Sequence, residues 1–419
     1  MTRPVGWAVA VVLGLAVAPA PAKGPVLSVP ANDGTLHLDV PWPKGVEVPR
    51  RSRFEGDGTA WMLVEGDAAY PADRLAAIGP DGMRRDGAFR LVASIPPRAG
   101  ATGPRKLTLR PATEQEAGKS RFLVMPLEGS KTLGVFEDRR PVFFYNHGTI
   151  SAPAGVPAER SRSSYVHPIW GLDGEILTDD FPKDHYHHRG LFWGWPHVTV
   201  GDEPQRDNWL VQGLRHAFTG WLDQHAGPAV AVLGVQNAWV TDEGRSVADE
   251  RVWLTLYPAE GDAQAIDLRY TLIPGAKPIT LAGAEGKSYG GVTIRFGPRP
   301  EKETTIISDR GDTADDLPMT RLAWADLSAK FDGRPNPSGI ALLVAPDHPD
   351  FPPEWLTRHY GALCVGWPGV KARTLPPGEP VTLRYRLVIH RGAGDRARLA
   401  AAQARFAAEA AAVWETAGD

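Results

Sequence analysis

A single cysteine, Cys364, stands among 419 residues, which excludes an internal disulfide framework and any Cys-rich zinc or iron–sulfur centre. If a metal is held, its ligands are His, Asp or Glu. Charge of one sign is lacking too: 46 basic residues against 49 acidic ones leave a formal net charge of −3, so no basic excess marks a nucleic-acid surface. Beyond the N-terminus no run reaches the ~18 apolar residues that a spanning helix needs. Also missing are the Gly-Lys-Ser/Thr phosphate loop, a strand-linked Gly-x-Gly-x-x-Gly and the Gly-x-Ser-x-Gly elbow. Nucleotide, dinucleotide and serine-hydrolase chemistry therefore lack support.

What is present in excess is backbone punctuation, with 45 Gly and 39 Pro, together with 14 Trp and 12 His. Arg3 precedes an apolar run from Val5 to Val17, and small residues follow through Ala22. That is the pattern of a cleaved secretory signal over residues 1–22, so the mature chain is expected in a periplasm or outside the cell, with no membrane insertion.

From residue 23 to about 120 short segments alternate with turns. Leu36, Leu38 and Val40 share one face, as do Leu107 and Leu109, and this predicts a small β-sandwich domain. A larger domain, 121–392, repeats the pattern around 122–125, 141–145, 229–233, 251–257, 265–272, 291–296, 339–344 and 381–390. Many short strands without βαβ alternation predict a mainly β fold, an antiparallel two-sheet sandwich. The end, 393–419, turns to Ala, Arg and Glu, with Leu399, Ala402, Phe406, Ala410 and Val413 at helical spacing behind a capping Asp395. One amphipathic C-terminal helix is expected.

Between residues 145 and 216 the strand pattern breaks down, yet seven of the twelve His fall there. The densest part runs from Gly171 to Trp195. Asp179, Asp180, Lys183, Asp184, His185, His187, His188 and Arg189 perturb one another's ionisation, which is how general acids and bases are tuned. If 184–189 is extended, His185 and His187 share a face, and with Asp179 or His147 they could complete a divalent-metal site. A metal-free site has His147, His187 or His188 as acid/base, with Arg189 holding substrate charge. Trp193 and Trp195 would face one way in a strand and could stack on a sugar ring, or they could belong to the core. Lys287, Tyr289 and Arg295 around the pair Gly290-Gly291, and Arg358 with Tyr360, are further candidates for catalysis and substrate binding.

The runs Tyr165-Val-His167-Pro through Glu175, Thr178-Asp179-Asp180 through His187-His188-Arg189-Gly190, Lys287-x-Tyr289-Gly290-Gly291 and Arg358-x-Tyr360-Gly361 resemble a secreted bacterial family of unknown function. It is commonly labelled PmoA or methane oxygenase. The resemblance covers about residues 30 to 390. It implies an exported bacterial protein among carbohydrate-utilisation proteins, and its β-rich body is similar to the supersandwich of galactose-mutarotase-like enzymes. Three functions stay open: a carbohydrate-active lyase, hydrolase or epimerase on a sugar or sugar acid; a non-catalytic glycan-binding sandwich; and a His/Asp metal-dependent oxygenase, as the label implies.

Overall fold

The computed structural model describes residues 24–46, 60–116 and 120–415, so the expected signal over 1–22 lies outside the described residues. Among the described residues no helix is long and apolar enough to cross a membrane. The molecule is mainly β, built from antiparallel sheets and one C-terminal helix.

Two nine-stranded sheets form the sandwich. In the front sheet the strands Glu354–Arg358, Ala362–Gly366, Gly291–Arg295, Leu191–Gly194, Tyr165–Ile169 and Arg140–Asn146 are consecutive neighbours. The back sheet begins with the long meander Leu214–Ala226, Ala231–Thr241, Ser246–Leu256 and Ala263–Pro274, then adds Val381–Arg391 and Ser338–Val344. Period-two alternation sends Leu191, Trp193, Val292, Ile294, Leu363 and Val365 of the front sheet inward to meet Leu233, Val252, Leu268 and Leu387 of the back sheet.

A third, seven-stranded sheet holds the N-terminal residues around its own core, including Leu36, Leu38, Leu107 and Leu109. It docks on the outside of the back sheet, where Leu75 and Val92 pack against Val230, Val232 and Trp253. The helix Arg396–Ala408 covers another part of that face through Leu399 and Phe406. Its Asp395 cap accepts from the Ala397 and Arg398 amides. Because the back sheet is covered on both faces, strands such as Ser246–Leu256 are buried along almost their whole length rather than alternating. The chain then returns to its beginning: Val413–Trp414 pairs antiparallel with Val26–Val29. Two residues carry no periodicity, and helical spacing had assigned Val413 to the helix.

The outer face of the front sheet is covered differently, by irregular chain. The His-rich segment contains three short strands, Tyr165–Ile169, Leu191–Gly194 and His197–Val200. The loops between them gather over that face.

Candidate active site

Strand register places the first site residues. Phe192, Thr293, Cys364 and Leu356 are successive cross-strand partners, a row on the outer face. One pleat further on, Ala362 is paired with Arg295 on one side and Arg358 on the other. Two guanidinium groups thus flank the smallest chiral side chain in the same row. At the other end of the Arg295 strand Gly291 is required: its φ is 131° and a Cβ would lie 2.4 Å from the Val365 carbonyl oxygen.

Above this face the segment 182–188 makes two consecutive turns, closed by His185 N–H donating to Pro182 O and His188 N–H to His185 O. It is not extended, and His188 is therefore not on a separate face. Its ring stacks on His185 at 4.9 Å, and His185 stacks on Tyr360 at 4.8 Å. His187 stands edge-on to His188 at 4.6 Å. Trp209, 5.5 Å from His188, and Tyr289, 4.8 Å from Trp209, continue the wall.

Arg295 anchors the group from below. Its Nη2 donates to Asp184 Oδ1 at 2.7 Å, and Asp184 Oδ2 lies 2.9 Å from His185 Nδ1. The Arg295 side chain is only 6% exposed, and among the described residues its Nε and Nη1 have no hydrogen-bond partner; nor does Nδ1 of the buried His188. Buried polar groups are normally paired, and unpaired ones cost free energy, so these three atoms call for an explanation.

Burial, reinforced by His185 and by Arg162, Arg160 and Arg189, holds His187 down at about 3. His188 is likewise pushed well below its ordinary value by burial, then by His187 and Arg295. Both imidazoles are neutral at pH 7. Asp184 is held below the usual carboxylate range: its desolvation acts upward but is outweighed by hydrogen bonds from His185 and Arg295. Burial raises Tyr289 and Tyr360, which stay protonated, and pushes the Cys364 thiol up to about 12, so it is no nucleophile.

Several sequence expectations need correction. Trp193 and Trp195 do face one way, but that way is the core: both are at most 1% exposed, against Tyr270 and Trp239, so neither can stack on a sugar. Arg189 is fully buried and cannot receive substrate charge. It donates to the carbonyls of Tyr186, His188 and Arg160 and covers the Phe181 ring, so it props the His loop from behind. Asp180 accepts from Tyr165 Oη at 2.9 Å, lies 3.3 Å from Arg189 Nε, and belongs to that support.

His147 packs on Phe218 and Trp221 of the back sheet, at the sandwich rim, away from the stacked imidazoles. Asp179 is half-buried beside the support and accepts from the Asp180 amide. Lys183 and Lys287 are exposed, and Arg358 pairs with Asp316 at 3.4 Å. Among the described residues no three His, Cys, Asp or Glu side chains converge as metal ligands, so His185, His187 and Asp179 do not make the metal set considered above. Trp209 was not anticipated. It follows Asn208, whose Oδ1 takes the Trp195 amide at 2.6 Å and turns the chain back over the sheet; no local pattern announces that long-range bond.

The depressed histidines make stability pH-dependent. Burial holds His187 at about 3 and His167 and His348 at about 4, and it lowers His37, His147 and His188 as well. Such a group contributes stability above its unfolded pKa, near 6.5, that is lost as pH falls through the folded value. Burial acts oppositely on Asp180, raised to about 6, and on Glu409, raised to about 7. His390, which burial lowers, is raised overall by Asp326. Burial raises Asp179 and Asp207 as well, and the six depressed histidines outnumber these five groups. The urea midpoint is therefore expected to fall between about pH 6.5 and about pH 4; a flat midpoint over that window would show that the imidazoles are not held neutral.

Together the fold and the cluster define a two-sheet β-sandwich protein with an imidazole- and arginine-rich site on the outer face of one sheet. The chain belongs to the DUF6807 family, a family of unknown function, whose sequence profile matches residues 133–404. That span opens in the strand Thr132–Glu137 and ends inside the helix, leaving the N-terminal sheet outside it. No curated protein matches the chain.

Proposed function

We propose that the protein is an exported, carbohydrate-active enzyme that removes a proton next to a sugar carboxylate, in the manner of a lyase or an epimerase. The observation that carries this is Arg295, buried, with one carboxylate partner and two donors left over, beside two neutral imidazoles and two protonated tyrosines. A sugar carboxylate brought to the cluster is drawn to this guanidinium and partly neutralised by it, which acidifies the adjacent C–H.

His187 or His188 is the base, already unprotonated at neutral pH. Part of what depresses both imidazoles is the positive charge of neighbouring arginines, and an incoming carboxylate opposes it. Their basicity thus rises when substrate is present. Tyr289 or Tyr360 supplies the proton to the leaving oxygen or to the opposite sugar face. Lys183, Lys287 and Arg358 stand nearer the solvent and suit further acidic residues of a longer chain.

Hydrolysis is less well supported, because it calls for two available carboxyl groups and Asp180 is committed to Tyr165 and Arg189. The oxygenase function implied by the resemblance would need a ligand set that the cluster, among the described residues, does not provide.

The test is incubation of the purified protein with uronate-containing and neutral oligosaccharides of matched length, followed by chromatography and ultraviolet absorbance for unsaturated products. Conversion of the acidic series alone is expected. Binding without conversion would favour a glycan-binding sandwich, and conversion of the neutral series alone would contradict the proposal.

A further inference from the structure

A cleft of about 770 Å³ opens on the opposite side of the sandwich, between the outer face of the back sheet, the N-terminal sheet and the C-terminal helix. Its volume lies in the range of small-molecule sites. Three arginines line it: Arg90 from the N-terminal sheet, and Arg269 and Arg384 from adjacent strands of the back sheet. The last two are direct cross-strand partners, and like charges placed opposite each other destabilise a bare sheet.

Their pairing is incomplete. Arg90 is 5% exposed; it pairs with Asp39 and donates to Ala76 O through Nε, yet Nη2 has no partner. Arg269 donates to the Gly79 carbonyl at 2.7 Å and, among the described residues, has no carboxylate partner and leaves a buried Nε unpaired. Burial, followed by the charge of Arg384, holds its guanidinium below the ordinary value. Arg384 itself pairs with the exposed Asp347. Interleaved with these cations are Asp39, Asp347, Asp267 and Glu409, the last two held by Arg386, while Phe89, Ile78 and several prolines supply apolar wall.

We propose that this cleft is a second ligand site, which takes a polyhydroxylated organic acid with a single carboxylate per sugar-sized unit. The carboxylate meets the guanidinium groups of Arg269 and Arg384, side by side on adjacent strands of the cleft wall, in the charge-assisted contact that arginine favours. Hydroxyl groups donate to the aspartates, and the carbon skeleton lies on Phe89 and the prolines. The same aspartates repel a compact dianion, which distinguishes the ligand from free phosphate. Arg90, Asp39 and Phe89 lie outside the residues that the family profile matches, so the site depends on the N-terminal sheet and stands independently of the His cluster.

The experiment is calorimetric titration with trigalacturonate in an Arg295→Gln background, which disables the first site. Trigalacturonate is expected to bind this variant with one-to-one stoichiometry, and adding Arg269→Gln or the surface change Arg384→Gln should weaken binding by about tenfold or more. Absence of binding in the Arg295→Gln background overturns the proposal, as does an affinity unchanged by both arginine substitutions. So does inorganic phosphate competing at equal affinity, or neutral galactotriose binding equally well. Arg384 supports no buried contact of the fold, so its variant remains informative if Arg269→Gln loosens the N-terminal sheet. Failure here leaves turnover at the first site untouched, and loss of turnover there leaves this titration unaffected.

Discussion

Arg295→Gln is expected to lower kcat/KM on an acidic oligosaccharide by about two to three orders of magnitude, the effect typical of removing one preorganised donor to developing negative charge. The loss should appear in both kcat and KM, because the guanidinium holds the carboxylate before the proton leaves and more strongly as charge builds. Stability should change little. The wild-type side chain keeps two donors unpaired in a buried position and has one partner, Asp184, that is 44% exposed, so glutamine removes an unsatisfied charge along with a half-solvated ion pair. Unfolding midpoints of variant and wild type, measured beside the kinetics, check that separation. Equal catalytic and stability losses would mean that Arg295 is a structural cation.

Glu250→Ala should do the reverse, costing about 3–5 kcal/mol of folding free energy in urea unfolding. Glu250 is fully buried between the sheets. Its Oε1 accepts from Asn237 Nδ2 at 2.8 Å, its Oε2 accepts from Trp239 Nε1 at 2.8 Å and Tyr270 Oη at 3.0 Å, and His216 Nε2 lies 3.1 Å away. Burial acts to raise this carboxyl, yet His216 and the other donors hold it below its ordinary value, so it is a buried anion. Alanine takes the acceptor from Trp239, Tyr270 and His216, while Asn237 keeps only Tyr145 Oη at 3.2 Å. Glu250→Gln preserves the shape and should cost less. The network reaches the site: Ser164 Oγ donates to Asn237 Oδ1 at 3.0 Å and immediately precedes Tyr165, which holds Asp180.

The alternation of Leu36, Leu38 and Val40, and of the long sandwich strands, was legible because one face of each is apolar and the period is two. The back-sheet strands that are covered on both sides were recognisable only as apolar runs. Which face of 191–195 points inward was not legible, since Phe192 and Trp209 form a second apolar cluster on the outer side. Local alternation cannot rank two apolar faces. Arg189 likewise looked available because its partners are carbonyls, including Arg160 O, 29 residues away, and carbonyls leave no mark in a sequence. The imidazole cluster was visible as composition, whereas its stacking depended on two turns at 182–188 that an extended pattern would not produce. Arg295, Tyr289 and Tyr360 were found from short motifs; register places Arg295 beside Ala362, whereas the tyrosines join the cluster through Trp209 and His185.

The most direct measurement is turnover of an acidic oligosaccharide by wild type, His187→Ala and His188→Ala, each confirmed as folded by its unfolding midpoint. At least one of the two single variants should lose about two orders of magnitude or more. Full activity in both would contradict the assignment of acid–base chemistry to this cluster.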